Sequence, residues 1–273
     1  MQIASRQPLW NEGHRGTEVE LLMTPATGLY MKFNAGWYKN QNIDIDWGDG
    51  TKQTVIANDI EGAHTYPSHT YAAYGKYIVR AENAKAFSFS EGDGWVQDEP
   101  FMNAAISAVD YGGTLKTIQS GGWKGCANLE RYVAPWSTFM GQRSFYNCRK
   151  LKEVVLGKIG VHYDASFENC TALEKYTTVT TGQCWSYIFR GCTRISELRL
   201  GAVSQFATED FKNTPNLMDI WIDNKTVEQI KQVAAEGNIV AGYSARFPWN
   251  ANPGCRFHGT NGIVLGNGTI IHE

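Results

Sequence analysis

The sequence predicts a mainly β protein. A small antiparallel β-sandwich comes first, then a solenoid of short coils stacked on a parallel sheet, closed by a helix and a few strands. Three observations carry this. Five segments between residues 123 and 217 repeat one apolar pattern at a fixed interval of 22 residues. Before them, residues 17–83 alternate apolar and polar side chains between Gly- and Asn-rich turns, the period of half-buried strands. The chain of 273 residues is 42% apolar and only 19% charged, with 28 glycines and nine tryptophans, a balance that favours strands and turns over helical bundles.

The first module, residues 1–85, contains the strand-like runs Glu18-Val-Glu-Leu-Leu-Met23, Leu29-Tyr-Met-Lys-Phe33, Ile43-Asp-Ile-Asp-Trp47 and Lys76-Tyr-Ile-Val79. Two landmarks stand out: Asp46-Trp47-Gly48-Asp49-Gly50-Thr51, and His69-Thr70-Tyr71 followed by Tyr74-Gly75-Lys76-Tyr77-Ile78-Val79. Together they resemble a PKD-type domain, an immunoglobulin-like β-sandwich with a W-x-G-D-G-T turn and an H-x-Y…G-x-Y-x-V strand pair. The turn here is one residue tighter than the commonest form. The resemblance implies that Asp49 and the glycines shape a turn and perform no chemistry. Asp44, Asp46 and Asp49 lie close enough in sequence to suggest calcium, but the glycine is misplaced for an EF-hand loop and no bidentate Glu follows at the twelfth position. His64 and His69 flank a turn at Pro67 and have no acids at ligand spacing.

Residues 84–100 read as a linker into the second module, residues 86–224. The repeats start at Trp123, Phe145, Phe167, Phe189 and Phe211, each followed by Cys or Thr three residues on and Leu or Ile six residues on. Phe101 falls one period upstream and suits an amino-terminal cap. A period in the low twenties is the signature of a leucine-rich solenoid, in which each coil buries its apolar face on its neighbours. Nine and eleven residues after each anchor come Tyr132/Ala134, Val154/Leu156, Tyr176/Thr178, Leu198/Leu200 and Ile220/Ile222. This is the inward face of a short strand. Just before them, eight residues after each anchor, Arg131, Glu153, Lys175, Glu197 and Asp219 form an outward column whose sign alternates over the first four rungs, as favourable cross-strand neighbours should.

A second inward column, Ile118, Met140, His162, Cys184 and Phe206, precedes each anchor by five residues. His162 is therefore expected to be a buried, hydrogen-bonded core histidine. Cys126, Cys148, Cys170 and Cys192 occupy one position per coil. That spacing lacks the C-x2-4-C pairs of a zinc site and gives adjacent cysteines parallel side-chain vectors, so free, buried thiols are expected. No basic partner recurs with the column to activate a nucleophile.

These residues resemble the BspA-like subfamily of leucine-rich repeats, with its F-x-x-C-x-x-L-x-x-V-x-L core, over about residues 115–223. The run Phe247-Pro-Trp249 with Arg256-Phe-His-Gly-Thr-Asn-Gly262 resembles the tail that closes such arrays, where Cys is common at Gly259 and Asp at Asn261. The resemblance implies surface display, adhesion or host interaction, and no catalytic residues. Residues 225–273 are then the closing segment. Its first part, 225–236, reads as a helix with Thr226 as N-cap, Gln229 completing a capping box and Gly237 as the stop.

Function classes narrow accordingly. A net charge of −2 with no basic cluster disfavours nucleic acid. No stretch approaches the ~20 apolar residues of a membrane span. Met1–Gln7 has no apolar core of a signal peptide. No G-x-S-x-G, H-E-x-x-H or paired-carboxylate cleft is visible, so no enzyme, cofactor or metal is expected. Two scaffold modules point to a non-enzymatic protein on a cell or virion surface that binds a protein or glycan. The alternatives are an adhesin, a phage fibre, decoration or receptor-binding subunit, and an accessory module of an extracellular hydrolase. Self-association or virion assembly fits the same scaffold. Two binding patches are expected. One is the outward column Val133, Val155, Thr177, Arg199 and Trp221, where Arg beside Trp is a common interface pairing. The other is an edge formed by Tyr163, Trp185 and Tyr187. The helix at 225–236 could instead cover Trp221, taken as lying on the last rung.

Overall fold

The computed structural model describes residues 17–23, 29–30, 42–56, 68–69, 71–73, 75–82, 106–111, 117–118, 120–207, 209–232 and 247–272. The chain divides into two compact units, residues 1–99 with 104–115, and residues 100–103 with 116–273. Phe101 and His64 lie outside the described residues.

The first unit contains β1 (Thr17–Met23), β2 (Leu29–Tyr30), β3 (Asn42–Asp46), β4 (Lys52–Ile56), β5 (Ser68–His69), β6 (Gly75–Glu82) and β7 (Ile106–Tyr111). All pairings are antiparallel, in the order β7-β1-β6-β3-β4, with β2 and β5 paired separately. The sequence reading starts the solenoid at residue 86, yet β7 pairs with β1 inside this unit. It carries none of the repeat columns and covers the edge that β1 would otherwise leave open.

The two landmarks of this unit converge. Asp46 Oδ1 accepts the Gly48 N–H at 2.9 Å, and Asp49 Oδ1 accepts the Thr51 N–H and hydroxyl at 3.0 and 2.7 Å. Gly48 sits at φ 80°, and a Cβ there would meet Ile78 O at 2.6 Å. The His69 ring stacks on Trp47 at 4.9 Å, with Nε2 2.7 Å from Asp49 Oδ2. Tyr71 donates to Trp47 O at 2.9 Å and stacks on Tyr77. Burial raises the Asp49 carboxyl, but hydrogen bonds from Thr51 and His69 prevail and hold it at about 2. Asp44 accepts the Thr54 hydroxyl at 2.7 Å, so each of the three aspartates serves the turn and its strands.

The second unit contains β8 (Thr117–Ile118), β9 (Arg131–Ala134), β10 (Phe139–Met140), β11 (Glu153–Leu156), β12 (Val161–His162), β13 (Lys175–Thr177), β14 (Thr180–Cys184), β15 (Glu197–Arg199), β16 (Ala202–Gln205), β17 (Asp219–Trp221), α1 (Val227–Gln232), β18 (Arg256–Gly259), β19 (Gly262–Leu265) and β20 (Ile270–His272). Each coil contributes to two parallel sheets. One runs β9-β11-β13-β15-β17-β18, in register Glu153↔Lys175↔Glu197↔Asp219↔Arg256. The other runs β8-β10-β12-β14-β16. The second inward column belongs to this other sheet.

Between the sheets the anchors form a continuous stack. Phe145, Phe167 and Phe189 are fully buried, with successive ring centroids 5.2 and 5.6 Å apart and planes within 3°. Their backbone N–H groups donate to the next rung, Phe145 to Ser166 O and Phe167 to Ile188 O. The thiols follow the stack. Cys148 Sγ donates to Trp123 O at 2.8 Å, Cys170 to Phe145 O at 3.0 Å and Cys192 to Phe167 O at 3.2 Å. A small side chain with a weak donor thus satisfies a carbonyl under the turn. Burial pushes the Cys170 and Cys192 thiols well up, away from the reactive thiolate. Iodoacetamide should spare Cys126, Cys148, Cys170 and Cys192 in the native protein and label all four after denaturation without reductant. Intact mass reads the result, and a bridge between any two would contradict this ladder.

The residue before each anchor is Gly122, Ser144 and Ser166 on the first three rungs and Ile188 on the fourth, but Asp210 on the fifth. Asp210 is buried, with Oδ1 accepting the Ile188 N–H at 3.1 Å and Oδ2 the Ala207 N–H at 2.9 Å. Burial pushes its carboxyl well up, against the pull of those donors. Asp210→Ala should cost about 2 kcal/mol by orphaning two buried donors, measured by urea unfolding. An unchanged midpoint would mean the donors are satisfied otherwise.

The closing segment departs from the sequence reading in one respect. Arg256 pairs with Asp219, 37 residues away rather than 22. The 15 extra residues hide a further rung from the period, and β18 extends the sheet before turning back through β19 and β20. Trp221 is therefore not on the last rung, and its cover comes from β18. The capping box is present: Gln229 N–H donates to Thr226 Oγ1 at 3.3 Å and Thr226 N–H to Gln229 Oε1 at 3.0 Å. Asn261 Oδ1 adds a third cap, on the Val227 N–H at 2.9 Å. A Cβ at Gly259 would meet Lys225 O at 2.8 Å, so this chain keeps glycine where the helix start crosses β18. Residues 233–246, including the expected stop at Gly237, lie outside the described residues. Among the described residues no helix is long and apolar enough to cross a membrane.

Candidate binding surface

Strand alternation places two columns on the outward face of the β9–β18 sheet. The charged column pairs as its alternating sign predicts over the first rungs: Glu153 takes Arg131 Nε at 3.1 Å and Lys175 Nζ at 3.0 Å. Burial raises the Glu153 carboxyl, but Lys175 and Arg131 outweigh it and hold the carboxyl low. Further along, Glu197 turns to Arg199 on its own strand, and Asp219 takes Arg256 and His258 from β18.

The second column reads Val133, Val155, Thr177, Arg199, Trp221 and His258 in register. Val133 is buried, contrary to the outward position expected for it, so the column is accessible only from Val155 onward. Its far end is a stack of planar groups. The Arg199 guanidinium lies 4.5 Å from the Trp221 ring centroid, and the His258 ring covers Trp221's other side at 4.3 Å and 4°. Trp221 is half-buried. The Arg199 side chain is 57% exposed, its Nε donating to Glu197 Oε1 at 2.5 Å. Among the described residues its two Nη groups have no hydrogen-bond partner. Sequence reasoning named Arg199 and Trp221 but missed His258, because the insertion breaks the period before β18.

The edge patch is only partly assembled. Tyr163 and Trp185 meet at 5.2 Å, and Phe139 extends the row, 5.4 Å from Tyr163. The rings are tilted by 37° and 49° against one another, and all three are half-buried. Tyr187 sits in the left-handed region at φ 70°, under Arg190 at 4.1 Å, and Arg190 is itself held by Glu168 and Glu209. A further feature absent from the sequence reading is Trp136, 61% exposed on the turn after β9. It falls in none of the inward columns, which was its signal. Among the described residues no group of three or more His, Cys, Asp or Glu side chains could hold a metal ion.

The comparisons with known proteins bear on the repeat segment. Two solved structures are similar, each at 16% identity. One is a leucine-rich repeat protein of T. pallidum, with a TM-score of 0.38 over 42% of this chain and 64% of that one. The other is a leucine-rich repeat protein from Bacteroides ovatus, with a TM-score of 0.33 over 54% of this chain and 43% of that one. The chain thus spans less than two thirds of either structure. No curated protein matches it. Residues 116–239, which hold the parallel-sheet solenoid, match the BspA type leucine rich repeat region in six copies.

Proposed function

We propose that this chain is a non-enzymatic binding protein, displayed on a cell or virion surface, which engages a partner through the outward face of the β9–β18 sheet around Arg199. The observation that carries this reading is the state of Arg199. Its guanidinium lies against Trp221 and bonds through Nε to Glu197, yet keeps two Nη groups without hydrogen-bond partners at the surface. A cation held in place loses little entropy when it meets a partner, and Arg beside Trp is the usual composition of an interface hot spot. The first unit acts as a PKD-type, immunoglobulin-like spacer, a reading supported by the packing of Trp47, His69, Tyr71 and Tyr77. Display on a virion assembled in a reducing cytoplasm draws support from the six free, buried cysteines.

The test screens the purified chain against a panel of mucosal and cell-surface proteins and glycans. The same screen then uses Arg199→Met and a combined Tyr163→Ala, Trp185→Ala, Tyr187→Ala variant, each first checked for an unchanged melting temperature. Arg199→Met should weaken binding about tenfold or more. If it binds as the wild type does while the triple variant loses binding, the aromatic edge is the surface and this reading is wrong.

A further inference from the structure

We infer that Arg199 receives a carboxylate, the side chain of an aspartate or glutamate on a partner protein laid across β13, β15 and β17. This rests on the binding-surface reading above and names the chemistry of that surface. The guanidinium has three hydrogen-bonding edges and two faces. Glu197 Oε1 takes Nε, and Trp221 takes one face. What remains is the end-on pair of Nη donors, and the planar group that fits two parallel N–H donors is a carboxylate. Glu197 and Trp221 fix the plane of that fork before any partner arrives.

The surroundings favour a peptide over a sugar. Arg199 and His258 lie on the two sides of the Trp221 ring, so it offers no open face for a sugar ring to stack on. On the other side of Arg199 in the same column lie Thr177 and then Val155, both half-buried. They give the stem of an acidic residue a methyl and an isopropyl surface to lie on. Charge agrees as well. Across the outward columns Arg131, Lys175, Arg199 and Arg256 face Glu153, Glu197 and Asp219. Every one of these acids is already paired with a cation, and Arg199 meets its own acid, Glu197, through Nε, which leaves its terminal fork without a hydrogen-bond partner among the described residues.

Titration of the full chain at low salt tests this with three probes: hexaglutamate, hexaglutamine and trigalacturonate. Wild type, Arg199→Met and Arg199→Lys are compared. The methionine keeps an apolar stem on Trp221 without charge, and the lysine keeps the charge without the fork. Hexaglutamate should bind the wild type, about tenfold more weakly the methionine variant, and with intermediate strength the lysine variant. Hexaglutamine should not bind. Equal hexaglutamate binding by wild type and Arg199→Met overturns the inference, as does no binding at all. Preference for trigalacturonate overturns it in favour of an acidic glycan. The cell-surface screen separates the two levels. If Arg199→Met loses its cell-surface partner while hexaglutamate fails to bind, the surface stands and the carboxylate falls. If that variant keeps its partner, the surface itself is misplaced.

Discussion

Phe167→Ala should destabilise the solenoid by about 3–5 kcal/mol, the cost of lost transfer energy plus a cavity that close-packed neighbours cannot fill. Phe167 is fully buried in the middle of the anchor stack. Phe145 and Phe189 lie parallel to it on either side, at 5.2 and 5.6 Å, and Tyr176 meets its edge at 5.4 Å. Those neighbours are held by their own rungs, so collapse into the void would strain two coils at once. In a stacked repeat, stability is a sum of rung and interface terms, and this substitution weakens two interfaces together. Urea unfolding should show the midpoint fall sharply. A melting temperature within a degree or two of the wild type would mean that the anchor is not a core residue.

The second large effect is on pH dependence and belongs to His162. The side chain is fully buried, with Nδ1 2.9 Å from Thr181 O and Nε2 2.6 Å from Tyr176 Oη. A neutral imidazole satisfies both, donating from Nδ1 and accepting the tyrosine hydroxyl at Nε2. Burial pushes its pKa down to about 4, against the pull of the Thr181 carbonyl, while the unfolded chain titrates near 6.5. The folded value is the lower one, so the unfolded state gains protons first. The contribution is complete above about pH 6.5 and is lost as the pH falls towards 4, at most about 3 kcal/mol. Urea unfolding at pH 7.0, 5.5 and 4.5, compared with His162→Gln, isolates it. The variant should be less stable at pH 7 yet lose less between pH 7 and 4.5. Parallel curves for the two proteins would show that His162 does not titrate in this window.

The repeat was legible because a solenoid writes each structural position into the sequence at a fixed interval. Even the turn chemistry is visible in one column. Gly125, Asn147, Asn169, Gly191 and Asn213 all adopt positive φ, between 60° and 76°, and Gly and Asn are the residues that tolerate it. The companion column, Gly121, Arg143, Ala165, Tyr187 and Glu209, is equally left-handed, between 56° and 70°, but shows no such preference. There the neighbouring rungs impose the backbone and the side chain is chosen for other reasons. This is why Tyr187 looked like part of an aromatic edge and instead lies under Arg190. The anchors, the thiol column and His162 followed from periodicity alone. His258 and the extra rung did not, since an insertion of 15 residues breaks the phase that made the others readable. Phe139 was missed because the second sheet is built of very short strands, down to two residues, too few to show an alternation.

Hydrogen–deuterium exchange of the full chain, free and bound to the cell-surface partner found in the screen, tests the central claim most directly. The account predicts slowed exchange on binding in peptides spanning Lys175–Thr177, Glu197–Arg199, Asp219–Trp221 and Arg256–His258, the four strands that meet around Arg199. Protection confined to the first unit, or to the edge carrying Phe139, Tyr163 and Trp185, would contradict it.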